Sequence, residues 1–207
     1  VLRFSSTVVT ALHYGATLFP CETKEERDAI VAQNNLSNEY SLSPRSVSGI
    51  EAGTRIALAS LNGAICTKYG SEAPYLFVGA LLNAEAVGVA VSKLLLETPY
   101  NVTVVACGER WTSQNCDGEL RFAIEDYLGA GAILSYLSFS KSPEARLCES
   151  SFVQAKQELE FLISECGSGR ELCERGRCED VFHVVQLNSY SVVPTLKAGW
   201  FVPYESV

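Results

Sequence analysis

"YLFVGALLNAEAVGVAVSKLLLE", residues 75–97, changes its hydrophobic period partway along. Residues 75–82 are a nearly continuous apolar run of strand length, the pattern of a strand covered on both faces. Asn83 then stands where a helix N-cap belongs, with Glu85 in the first turn and Ala86, Val89, Ala90, Val91 and Leu94 following at helical spacing. A buried strand feeding directly into an amphipathic helix is the building unit of an α/β domain.

The same alternation extends in both directions. Upstream, Val8, Val9 and Leu12 suit a helix that Gly15 stops, and Thr17–Phe19 suits a short strand. Thr23 and Glu26 form a capping box for a helix over 25–33; residues 34–49 read as a long loop, "RIALAS" as a strand and "LNGA" as a tight turn. Downstream, "NVTVVAC" (101–107) has the β-branched density of a central strand, and residues 121–134 have the composition of a buried helix. Ser142 and Pro143 start another helix, "SSFVQAKQELEFLISE" continues in helical periodicity, and "DVFHVVQL" and "SVVP" suggest closing strands. The expectation is one α/β domain over 1–207, a largely buried mixed sheet covered by helices, lacking a short N-terminal segment.

Composition narrows the function. The chain of 207 residues is 47% apolar, enough for one substantial core. Its 24 acidic against 16 basic residues, net −8, argue against nucleic acid or an anionic membrane as partner. Apolar runs fall short of the roughly 18 residues a membrane span needs. The eight cysteines show no CxxC pair and are expected to be mainly reduced, with a local disulfide or metal site among Cys166, Cys173 and Cys178 as the alternative.

Several residues carry chemistry. Arg3 with Ser5, Ser6 and Thr7 brings a guanidinium and hydroxyls to a helix start, the ingredients of an oxyanion pocket or, more plainly, of a helix cap. Ser60, Asn62 and Gly63 follow a strand, where a turn exposes backbone donors. Cys107 ends a strand, a position open to a nucleophile or to a small buried side chain. Glu125 and Asp126 are adjacent on an otherwise apolar helix, their side chains about 100° apart. Such a pair suits a hard divalent cation, or a solvated outer face, while Gly129 and Gly131 admit a close neighbour.

Taken in order, "VLRFSST" (1–7), "LSP" (42–44), "SLNGA" (60–64), "LLNAEAV" (81–87), "VVACG" (104–108), "EDYLGAG" (125–131), "ECGSGREL" (165–172) and "QLNSYSVVP" (186–194) resemble the 2-phosphosulfolactate phosphatase family. The resemblance implies the ComB-like layered α/β fold and a cytoplasmic, Mg²⁺-dependent phosphatase. Its reaction would convert (R)-2-phospho-3-sulfolactate to 3-sulfolactate and phosphate on a route to coenzyme M. It implies that Arg3 and Ser5–Thr7 form the phosphate side, Ser60 through Gly63 a facing turn, and Glu125 and Asp126 the metal side. Arg3, Cys107 and Asp126 are the catalytic candidates, a small anionic phosphoester is the expected partner, and a homodimer is the assembly considered. Phe4, Leu61, Ala64 and Asn188 depart from the family's usual Ala, Thr, Thr and acidic residue. These departures point to the alternatives of altered specificity or a noncatalytic anion-binding or scaffold role.

Overall fold

The computed structural model describes residues 2–4, 6–37, 39–111 and 118–205, with the side chains of 2–4 excepted. In chain order the main elements are β1 (Leu2–Phe4), α1 (Ser6–His13), β2 (Thr17–Cys21), α2 (Lys24–Asn34), β3 (Arg55–Ala59), α3 (Leu61–Gly70), β4 (Phe77–Gly79) and α4 (Ala84–Glu97). The second half holds β5 (Glu109–Arg110), β6 (Leu120–Arg121), α5 (Ile124–Ser135), α6 (Pro143–Ala155), α7 (Leu159–Glu165), α8 (Gly167–Glu174), α9 (Cys178–Val184), β7 (Pro194–Lys197) and β8 (Trp200–Pro203).

Six strands form one mixed sheet in the order β1-β4-β7-β8-β2-β3, and β5 and β6 pair separately. β1 runs parallel to β4, and β2 parallel to β3. Between these pairs lies the C-terminal hairpin, β7 antiparallel to β4 and β8 antiparallel to β2. Three successive antiparallel pairings make the two parallel pairs run in opposite directions. The hairpin is therefore what joins the two parallel strand pairs into one sheet.

Alternation along β4 divides the core between the two sheet faces. Phe77 joins Val87, Val91, Leu128, Ile133, Phe152 and Ile163 under α4 to α7, whereas Leu76 and Val78 join Val8, Val9, Leu12, Ile56 and Phe201 under α1. The layered α/β architecture expected from the sequence is the one observed. Gly131 lets α6 approach α5 closely: a Cβ there would lie 2.4 Å from the Cys148 carbonyl oxygen. Thr23 caps α2 as its capping box requires, accepting from the Glu26 amide at 3.1 Å.

Three local expectations are corrected, and the expectation of mainly reduced cysteines holds with one local disulfide. Residues 101–107 form no strand: Val102 and Val104 are half-buried while Asn101, Thr103 and Ala106 are exposed, so β-branched density here marks one-sided packing, not a central strand. "LNGA" is no turn but the first turn of α3. "DVFHVVQL" lies largely in α9, where Asp180 and Val181 are buried; its apolar run has a helical as well as a strand reading, and packing selects the helix. Cys173 and Cys178 are disulfide-bonded, clipping the end of α8 to the start of α9, whereas Cys21, Cys66, Cys107, Cys148 and Cys166 remain thiols. Burial pushes the Cys21 thiol up to about 11 and raises those of Cys148 and Cys166, the pattern of structural cysteines.

Asn83 is fully buried and does more than mark a helix start. Its Oδ1 accepts from the Ala80 amide at 2.9 Å, and its Nδ2 donates to the Val192 carbonyl at 2.9 Å. The incoming chain is tied alongside by Asn188 N to Leu81 O and Tyr190 N to Leu82 O. The capping of α4 falls instead to Asn188, whose Oδ1 accepts from the Glu85 amide at 2.9 Å and whose Nδ2 donates to the Tyr136 hydroxyl at 2.6 Å. On the opposite face, the half-buried His183 of α9 lies 3.2 Å from Thr10 Oγ1.

Asn83→Ala strands a buried amide and a half-buried carbonyl, and should lower unfolding free energy by roughly 2–4 kcal/mol in urea titration; a loss below about 1 kcal/mol would deny it this role. A second expectation concerns acid. Burial holds the His183 pKa below the usual 6.5, with Arg45 acting the same way and Asp180 opposing. The neutral ring is the form the fold favours, so its contribution is complete above about pH 6.5 and disappears as pH falls through the lower folded-state value. The stability difference between the parent and His183→Gln should shrink over that acidic window; a pH-independent difference would contradict it.

Candidate active site

The candidate groups gather around β1, because α3 and α5 both pack against that strand. Arg3 lies on β1, with its side chain outside the described residues, as Ser5 is altogether. Ser6 opens α1 and is half-buried. Thr7 is buried and donates its hydroxyl proton to the Leu42 carbonyl, while Ser43 donates to the Asp180 carboxylate at 2.5 Å. The "LSP" segment thus fastens α1 to α9.

Ser60 is the N-cap of α3 without a side-chain capping bond, and its carbonyl accepts the first helical bond from Ala64 N. Gly63 is buried in the first turn. Leu61 is 48% exposed beside them, an alkyl group at a helix start otherwise rich in donors. Asn62 points across to β5: its Nδ2 donates to Glu109 Oε1 at 3.0 Å, and its Oδ1 accepts from Arg110 Nε at 3.1 Å. Glu109 and Arg110 were not identified from the sequence, since only the pairing of β5 with β6 turns them toward α3.

The adjacent carboxylates at the start of α5 diverge, as helical geometry demands. Asp126 turns toward Gly108, whose amide donates to its Oδ2 at 2.8 Å. Desolvation, followed by Cys107 and Glu125, lifts the Asp126 carboxyl well above the usual carboxylate range; the Gly108 bond opposes this and Glu109 adds to it. Glu125 turns the other way, with its Oε2 3.8 Å from Cys166 Sγ at the N-cap of α8. Asn62, Glu109, Gly108, Asp126, Glu125 and Cys166 are thereby linked in one continuous path. Neither carboxylate lies on a freely solvated face.

No group of three His, Cys, Asp or Glu arranged to hold a metal occurs among the described residues. A hard cation that retains several waters needs only one or two carboxylates, and the desolvated Asp126 with Glu109 nearby is chemically such a donor set, whereas Glu125, expected from the sequence to share it, turns toward Cys166. A cationic ligand would relieve the same repulsion that raises the Asp126 proton affinity. Asp126→Asn preserves an acceptor for Gly108 while removing a desolvated charge. In chelator-treated protein at neutral pH it should raise the thermal midpoint, by about 2–4 °C for each kcal/mol relieved; a lowered midpoint would show that the ionised group stabilises the fold.

No helix among the described residues is long and apolar enough to cross a membrane. The sequence profile of the 2-phosphosulpholactate phosphatase family matches residues 1–199. A probable 2-phosphosulfolactate phosphatase of Deinococcus radiodurans is 30% identical, with 98% of this chain and 88% of that protein covered. One of Carboxydothermus hydrogenoformans is 28% identical over 94% of this chain and 82% of its own length. The 2-phosphosulfolactate phosphatase of Methanocaldococcus jannaschii is 26% identical over 95% and 86%. With the profile spanning nearly every element that builds the sheet and the α3–α5 cluster, the chain belongs to the 2-phosphosulpholactate phosphatase family of phosphoric monoester hydrolases.

Proposed function

We propose that this protein is a Mg²⁺-dependent phosphatase that hydrolyses (R)-2-phospho-3-sulfolactate to 3-sulfolactate and phosphate. Family membership supports the reaction class, and the linked cluster of Asn62, Glu109, Arg110 and Asp126 at two helix N-termini is the observation that carries the site. Coenzyme M formation in the cytoplasm is the setting the reading carries with it.

In this reading Asp126, with Glu109 nearby, would hold the cation, which when bound supplies positive charge to the phosphoryl oxygens, while Glu125, turned toward Cys166, lies outside that set. Arg110, fixed through Nε to Asn62, adds a guanidinium to an acidic neighbourhood, and Arg3 on β1 contributes a second from the strand between α3 and α5. The helix starts at Ser60–Gly63 and at Ser6–Thr7 orient amide dipoles toward an anion. Water supplies the oxygen that bonds to phosphorus, the bond from phosphorus to the C2 oxygen breaks, and that oxygen leaves carrying a proton derived from the water. Gly108 keeps Asp126 in place throughout, so the carboxylate needs no reorganisation during the reaction.

Release of inorganic phosphate from (R)-2-phospho-3-sulfolactate, measured against Mg²⁺ concentration, tests the proposal. Turnover should require Mg²⁺, disappear in chelator, and fall by about 10²-fold or more in Asp126→Asn. Undiminished turnover in chelator would remove the metal role, and no turnover with Mg²⁺ would remove the substrate assignment in favour of altered specificity or a noncatalytic role. Cys107→Ala separates two routes: retained turnover supports attack by water, whereas complete loss with intact folding identifies the thiol as nucleophile.

A further inference from the structure

Glu109 and Arg110 are neighbours of opposite charge on β5, yet no ion pair joins them among the described residues. Each reaches instead to one end of the same half-buried amide. Asn62 Nδ2 donates to Glu109 Oε1 at 3.0 Å, and Asn62 Oδ1 accepts from Arg110 Nε at 3.1 Å. Further bonds hold the two side chains in these places: Glu109 Oε1 also accepts from the Arg110 backbone amide at 2.8 Å, and Arg110 Nη1 donates to the Gly118 carbonyl. A primary amide is a neutral group that can donate to a carboxylate and accept from a guanidinium at once. It satisfies both partners without cancelling the charge of either.

Residues 108–110 touch both helix starts that frame the site. The Gly108 amide donates to Asp126 at the start of α5, while the side chains of Glu109 and Arg110 meet Asn62 in the first turn of α3. Gly108 stands at φ 72°, a backbone conformation that L side chains rarely adopt, and so lets the chain turn from one helix start to the other. A direct Glu109–Arg110 pair would satisfy the two charges locally, and each would cancel much of the other's field at the site. With Asn62 between them, the carboxylate keeps its attraction for a cation near Asp126 and the guanidinium keeps its attraction for a phosphoryl group.

We infer that Asn62 is a positioning residue that keeps Glu109 and Arg110 apart, so that the first serves the metal side of the site and the second the phosphate side; the inference rests on the phosphatase reading of the α3–α5 cluster. Both ends of the Asn62 amide are engaged by protein groups, so it acts through these two side chains rather than by touching substrate. The role needs a donor and an acceptor at the end of a short side chain. An apolar residue supplies neither, and a carboxylate supplies only acceptors.

Calorimetric titration of the whole protein with Mg²⁺ and, separately, inorganic phosphate at neutral pH tests this. Asn62→Ala removes the spacer and lets the two charges pair, so it should weaken both ligands by about fivefold or more. Asn62→Asp keeps the acceptor for Arg110 but sets a second carboxylate against Glu109; phosphate should weaken again, while Mg²⁺ tightens by about threefold or more. Damage to the start of α3 would weaken both ligands in both variants. Mg²⁺ affinity moving in the same direction in the two variants, or unchanged in both, would therefore overturn the role. In a Glu109→Gln background, Asn62→Ala should alter Mg²⁺ affinity by less than about twofold, and an undiminished effect there would count equally against it. Parent protein that binds no Mg²⁺ refutes the metal-dependent phosphatase reading, and the crystal structure of Asn62→Ala then decides: Glu109 and Arg110 in direct contact retain Asn62 as the spacer, whereas side chains still held apart overturn it.

Discussion

The buried amide of Asn83 joins the middle of the chain to its C-terminal hairpin. β4 and α4 arise in the middle of the sequence, while the hairpin that separates the two parallel strand pairs comes last. An amide with a donor and an acceptor in fixed positions can satisfy Ala80 N–H and Val192 C=O at once, which no apolar side chain of that size can do. Burial makes this pairing demanding as well as stabilising, since either group left alone would be desolvated without recompense. The hairpin's register against β4 and β2 follows from that attachment, and with it the burial of Phe201 among the side chains of α1, β3 and β4.

Once the sheet is closed, β1 becomes the strand against which α3 and α5 both pack, and the site is a consequence. The start of α5 divides it. Adjacent side chains on a helix cannot face the same way, so Asp126 is delivered to Gly108 and Glu125 to Cys166. One pair of consecutive residues thereby serves two neighbouring surfaces. The α3 side concentrates Asn62, Glu109 and Arg110, whereas the α8 side holds Arg121 and a helix start. In a chain of net charge −8, this clustering of guanidinium groups beside carboxylates is what would allow a polyanion to approach.

Several features of the site oppose stability. Asp126 is desolvated and crowded by other acidic groups, and Arg121 has a buried N–H without a partner among the described residues. Such arrangements are characteristic of groups poised for a ligand whose charge completes them. Asn188 illustrates the opposite case. It caps α4 and donates to Tyr136, a structural task for which an amide, carrying both a donor and an acceptor, is well suited.

The layered α/β class, the capping box at Thr23, the helix boundary at Gly15 and the pairing of "YLFVGALL" with the helix after it were legible because each depends on local periodicity or on a few neighbouring residues. Glu125 and Asp126 could likewise be singled out by their incongruity in an apolar helix. The sequence alone did not reveal that residues 101–107 stay outside the strands, that 178–184 form a helix, or that Cys173 pairs with Cys178, for in each case one local pattern suits two conformations or two partners. The contacts of Asn62 with Glu109, separated by 47 residues, and of Arg121 with Glu171, separated by 50, were equally hidden. Local sequence carries the period of burial, but which polar groups meet is decided only when distant segments are brought together, and there the cost of leaving a buried polar group unpaired selects among packings that periodicity cannot distinguish.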